Sequence, residues 1–151
     1  MAFEIVDGMT GTKHISSDDL SELNDALVGG GYHVWDYASA FWLTMSSANK
    51  ATISAGVGMV DGKRFRNSGD VTVTVDSGTQ GQKRNDLVVA RYSRTSAGIE
   101  SVEPVVIKGT PTTDTPSDPA VTTKDLKLWR IPNRRPERGD ARQAVQPPSG
   151  D

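Results

Sequence analysis

The sequence predicts a mainly β protein, an antiparallel sandwich or barrel-like domain with one short amphipathic helix near its N-terminus. Three observations carry this. Val71-Thr72-Val73-Thr74-Val75 alternates apolar and polar residues with a period of two. Asp61-Gly62 marks a tight hairpin, because a type I′ turn needs positive φ at both central positions. Glycine, serine and threonine are frequent throughout, which suits many short strands joined by turns. Sandwich and barrel both accommodate the seven or eight strands that the pattern supports.

The elements follow in order. Phe3-Glu4-Ile5-Val6 reads as a short strand that opens a turn-rich arm. A helix then starts at Ser16 or Ser17, whose hydroxyl accepts from the free N–H groups of the first turn, and Ser16-x-x-Asp19 fits a capping box. Asp18 and Asp19 suit the positive end of its dipole. Leu20, Leu23 and Leu27 form an apolar stripe, and Gly29-Gly30-Gly31 ends the helix. At about three turns it needs a partner surface, so the stripe is expected to face the sheet or another protomer.

After the glycines the pattern is β. Tyr32 to Trp35, Phe41 to Met45, Ala51 to Ala55 and Met59-Val60 are strand-like, and Gly56-x-Gly58 suggests a bulge or bend. Lys63 to Arg66 returns from the Asp61-Gly62 turn. Leu87 to Tyr92 and Val102 to Ile107 form a hairpin whose second strand contains Pro104, which places it at an edge or a bulge. Residues 110–123 look too polar to pack and are expected to form an extended surface loop. Asp125 to Ile131 gives a last strand, and beyond Pro132 the composition reads as disordered. The expected organisation is an arm and helix over 1–31, a β domain over 32–131 and a basic, proline-rich tail over 132–151.

Hydrophobic residues make up 35% of the chain and aromatic ones 6%, so a monomeric core would be thin and burial could be completed by self-association. The formal charge of −2 selects no partner. Its distribution, an acidic head and an Arg-rich tail, suits either head-to-tail pairing between protomers or two solvated ends. There is no cysteine, which excludes disulfides and thiolate chemistry. Neither a signal peptide nor an apolar run of roughly 18–20 residues is visible, so a soluble chain made in the cytosol is expected.

Chemistry finds few footholds. His14 beside Ser16, Ser17, Asp18 and Asp19 is better explained by a helix cap than by a catalytic triad, whose members must converge from separate elements. His33 on an aromatic strand reads as a half-buried, hydrogen-bonded histidine, because no cysteine or suitably spaced second histidine completes a metal site. The acids of the N-terminal third lack the spacing of a calcium loop, and Gly56-x-Gly58 lacks that of a phosphate cradle. Lys63, Arg64 and Arg66 with Phe65 could pass for a nucleic-acid patch. Strand alternation, however, turns Phe65 away from the two arginines and into the core. Trp35, Tyr37, Phe41 and Trp42 form the densest aromatic cluster, either core or, through Trp35, Tyr37 and Trp42, a platform for sugar rings. An enzyme such as a glycan hydrolase would need two carboxylates roughly 5–10 Å apart across a cleft. No catalytic, cofactor-binding or metal-binding residue is therefore assigned.

One ordered set of motifs goes further. Gly78-Thr79-Gln80-Gly81, Arg84-Asn85-Asp86-Leu87-Val88-Val89 and Val105-Val106-Ile107-Lys108-Gly109-Thr110-Pro111 stand in that order. They are preceded by His14-Ile15-Ser16-Ser17-Asp18-Asp19 and followed by Asp118-Pro119-Ala120. The set, spanning residues 13–131, resembles a module of tailed-bacteriophage or prophage tail and baseplate proteins. Pro104 and the basic tail from Asn133 depart from that pattern. The resemblance implies a non-enzymatic virion protein of the tail tip, baseplate or fibre base, assembled in the bacterial cytoplasm. It further implies self-association, often as a trimer, and docking of other tail or receptor-binding parts. Leu20, Leu23 and Leu27 are the expected interface residues. The other reading is a carbohydrate-binding host-recognition module that contacts surface glycan through Trp35, Tyr37 and Trp42. Neither implies a cofactor, a specific nucleic acid or membrane insertion.

Overall fold

In a computed structural model, which describes residues 15–134, one helix precedes nine strands. The expected strand at Phe3 to Val6, His14 and the tail from residue 135 lie outside the described residues. Helix α1 spans Ser17–Val28. Ser16 caps it as expected, its hydroxyl accepting from Asp19 N at 3.1 Å while the Asp19 carboxylate accepts from Ser16 N at 3.0 Å. Gly29, at φ 81°, ends it.

The strands are β1 (His33–Val34), β2 (Leu43–Ser47), β3 (Lys50–Ile53), β4 (Gly56–Val60), β5 (Lys63–Asn67), β6 (Val71–Thr74), β7 (Lys83–Arg94), β8 (Glu100–Ile107) and β9 (Asp125–Arg134). They form three antiparallel three-stranded sheets ordered β1-β4-β5, β2-β3-β6 and β8-β7-β9. The architecture is mainly β without a closed barrel. The inner faces meet in one core, in which Leu43, Ile53, Val60, Val88, Leu126 and Trp129 are buried together. Trp129 donates its indole N–H to Phe41 O at 2.8 Å, so the one polar atom of that ring is satisfied inside the core.

Several expectations hold. Asp61 and Gly62 take φ 48° and 77°, the left-handed pair that the β4–β5 turn requires. Pro104 pairs with Ala90 in regular register on β8, an edge strand, where its missing N–H has no ladder bond to make.

Others are corrected. Gly56 and Gly58 make no bulge, since β4 pairs with β5 without a register shift. They are small because Phe41 lies on them: a Cβ on Gly56 would meet Phe41 N at 2.6 Å. Residues 110–123 form the expected surface loop but are not too polar to pack. They strap the outer face of the β8-β7-β9 sheet, with Pro116, Asp118, Pro119 and Val121 half-buried. Asn85 Nδ2 donates to Asp118 Oδ1 at 3.1 Å and Arg130 Nε to the same oxygen at 2.6 Å. Leu87 and Val89, which alternate away from the core side of β7, are fully buried on this strapped face. Polar residues can cover apolar ones when their own groups are paired. Finally, Asn133 and Arg134 are not a disordered extension, because β9 runs on to pair them with Arg84 and Lys83.

Candidate functional site

Two polar constellations organise the molecule. The first explains the ordered motifs. Arg84 and Asp86, two apart on β7, point to one face and are 1% and 0% exposed. Arg84 Nε and Nη2 donate to Asp86 Oδ1 and Oδ2 at 2.8 and 3.1 Å, a bidentate pair. The guanidinium also donates to Asp76 O at 2.6 Å and Ser77 O at 2.9 Å, which ties down the chain after β6. Gly109 N donates to Asp86 Oδ1 at 2.9 Å, and a Cβ there would lie 1.9 Å from Asn85 O. The Arg-x-Asp and Lys-Gly-Thr-Pro segments are therefore two halves of one buried clasp. Lys83 and Thr112 complete it by exchanging backbone bonds of 2.8 Å in both directions.

The second constellation docks α1. Its leucines are not its buried side: Leu20, Leu23 and Leu27 are 48%, 49% and 75% exposed, Leu20 lines a groove between α1 and the strands, and Ser21 is the buried residue of the helix. The helix is held by its polar side. Ser17 Oγ donates to Glu100 Oε1 at 2.8 Å, and Tyr92 OH donates to Glu100 Oε2 at 2.6 Å. Lys63 Nζ reaches Asp18 Oδ1 at 3.1 Å and Ser21 Oγ at 2.7 Å, and Arg94 Nη2 reaches Asp18 Oδ1 at 3.2 Å. Asn24 Nδ2 donates to Gly62 O at 2.8 Å, so the β4–β5 turn is the helix's seat. The hydrogen bonds from Lys63 and Arg94 hold the Asp18 carboxyl below its ordinary value, and those from Tyr92 and Ser17 do the same for Glu100. Burial pushes the Tyr92 phenol up, reinforced by Glu100. His33 is hydrogen-bonded, as expected. Its Nε2–H donates to Gly29 O at 2.8 Å, pinning the end of α1 to the first strand.

Among the described residues the three aromatic candidates, Trp35, Tyr37 and Trp42, make no ring contact with one another. Trp35 lines a groove beside α1, whereas Trp42 meets Trp129 edge-on at 5.3 Å. Tyr37 and Trp42 are 67% and 60% exposed. Phe41 and Phe65 stack at 5.3 Å, Phe65 facing inward as its alternation requires. The docking set of Ser17, Asp18, Lys63, Tyr92, Arg94 and Glu100 was missed in the sequence because its members come from four separate segments. Among the described residues no cluster of three or more His, Asp or Glu is arranged to hold a metal, and no helix is long and apolar enough to cross a membrane.

Comparison with protein-family models, with curated proteins and with solved structures returns no match. The class that fold and site define is a three-sheet antiparallel β module with a surface-docked helix.

Proposed function

We propose that this chain is a non-enzymatic structural component of a tailed-phage tail tip, baseplate or fibre base. It works by forming a homo-oligomer, a trimer, and docking other tail or receptor-binding parts. The observation that carries the reading is the exposed leucine stripe of α1. Leu20, Leu23 and Leu27 recur at intervals of three and four residues, the spacing of a helix-to-helix seam. A helix held by its polar side with this stripe in water is placed to pair with the same helix of a second copy. The motif set adds support of a different kind, since its residues build a rigid clasp suited to a load-bearing part.

The test is mass spectrometry of purified phage particles produced by a bacterium that encodes the chain. The proposal expects the chain in the particle at a copy number divisible by three. Its absence from intact particles, with free chain left in the lysate, overturns the proposal.

A second reading, a carbohydrate-binding host-recognition module, is favoured by the exposure of Tyr37 and Trp42. Glycan binding that Trp42→Ala abolishes while the melting profile stays unchanged would establish it.

A further inference from the structure

Strand β5 forms one edge of its sheet, and a groove of about 580 Å³ runs along it between α1 and the start of β8. Arg64 and Arg66 line this groove. Both are exposed, and neither guanidinium makes a hydrogen bond or ion pair among the described residues. Arg84, Arg91, Arg94 and Arg130, by contrast, are each held by a carboxylate. Trp35 lines the same groove, half-buried. Its backbone N–H donates to Val57 O at 3.0 Å, continuing the β1–β4 register, and Val57 pairs with Arg66 on β5. Indole, valine and guanidinium therefore stand in one row across the sheet, with Arg64 on the same face about 7 Å further along β5.

We propose that this groove binds a short anionic saccharide. The flat indole offers a surface for the apolar face of a sugar ring, and the two free guanidinium groups take its carboxylate. Asn24, Ser101 and Glu100 on the opposite wall offer partners for hydroxyl groups. The volume falls within the range usual for ligand clefts, roughly 300–1,000 Å³. A long polyanion fits poorly, because it would run past α1, which lines the groove through Ser17, Leu20, Ser21 and Asn24 and carries the negative charges of Asp19, Glu22 and Asp25 between and beyond them. An acidic peptide would meet the same repulsion. The inference goes beyond the assembly reading and uses Trp35 without Tyr37 or Trp42.

The test titrates the full chain with trigalacturonate, following the Trp35 indole N–H resonance, assigned with Trp35→Phe. Neutral galactotriose, a thymidine oligonucleotide and a poly-glutamate peptide serve as comparators. The expected result is a saturating shift of Trp35 with the uronide and affinity roughly tenfold or more weaker for the neutral sugar. The Arg64→Gln/Arg66→Gln variant should lose a similar factor while its melting profile stays unchanged. If that pair disturbs folding, Arg66→Lys keeps the charge, removes the bidentate fork and should show a smaller loss. Equal binding of both sugars, no uronide binding at millimolar concentration, or a response at Trp42 instead of Trp35 would overturn the proposal. Tighter binding of the oligonucleotide or the peptide would overturn it too, assigning the groove to that class of partner. Particle composition and this titration are separate readouts, so the assembly reading and the saccharide site can fail independently.

Discussion

Arg84 and Arg94 sit at opposite ends of β7 on the same alternation of the strand, and each is paired with an aspartate, yet the two pairs belong to different physical regimes. The side chains of Arg84 and Asp86 are 2% and 1% exposed, whereas those of Arg94 and Asp18 are 42% and 69% exposed. Inside the protein the charges have lost their water, and the geometry must replace it completely. All four named partners of Arg84 and Asp86 are backbone groups or each other. At the surface, water competes for every bond, and the contribution of each pair is small and screened by salt. One end of the molecule is thus a clasp that cannot open without unfolding. The other is a latch that can open locally, with the leucine stripe on the element that it holds.

The clasp should break hardest. Asp86→Ala leaves Arg84 buried without its counter-charge and should cost about 3–5 kcal/mol in urea unfolding. Removing both charges with Arg84→Met/Asp86→Leu should recover part of that loss. The recovery stays incomplete because Ser77 O and Gly109 N then lose the partners that Arg84 and Asp86 gave them. Gly109→Ala comes next. Its Cβ would overlap Asn85 O, a backbone atom that cannot swing aside, so destabilisation of about 1–3 kcal/mol or more is expected by the same measurement.

The latch should respond to milder conditions. Asp18 and Glu100 are both held below their ordinary values of 3.8 and 4.5. Lowered folded values mean stabilisation that is complete above the ordinary values and lost as pH falls through the folded ones. Hydrogen exchange of α1 amides should therefore accelerate below about pH 4, before the β7 amides change. Glu100→Gln should produce part of that acceleration at neutral pH. Simultaneous loss of protection in α1 and β7 would erase the distinction between the two regions. The smallest effect on folding is expected for Leu23→Gln/Leu27→Gln. Both positions are solvated within a single copy, so unfolding at concentrations too low for association should shift by no more than about 0.5 kcal/mol per site.

The two regions also differ in how much of them the sequence discloses. The cap at Ser16, the Asp61-Gly62 turn, the Val71 to Val75 alternation and the long hairpin rest on neighbours within a few residues, and their outlines are legible. The clasp is half legible: Arg84 and Asp86 lie on one face by simple alternation, but their meeting with Gly109 depends on the hairpin's register. The latch leaves no local trace, since Ser17 meets Glu100 across 83 positions. Residues 110–123 look like a loop because their composition is polar. Only the pairing of Asp118 with Asn85 and Arg130 makes them a covering strap. The Leu20, Leu23 and Leu27 stripe was legible as apolar, but which side of α1 docks was decided by Lys63, Asn24 and Gly62. The likeness of Trp35, Tyr37 and Trp42 as neighbours in sequence likewise concealed that Trp35 belongs with Arg64 and Arg66.

Absolute mass by size-exclusion chromatography with light scattering, over a concentration series, tests most directly whether the free face of α1 joins copies of the chain. The account predicts a stable trimer for the native chain and a folded monomer for Leu23→Gln/Leu27→Gln. A native chain that stays monomeric at every concentration would contradict it, as would a trimer that the two substitutions leave intact.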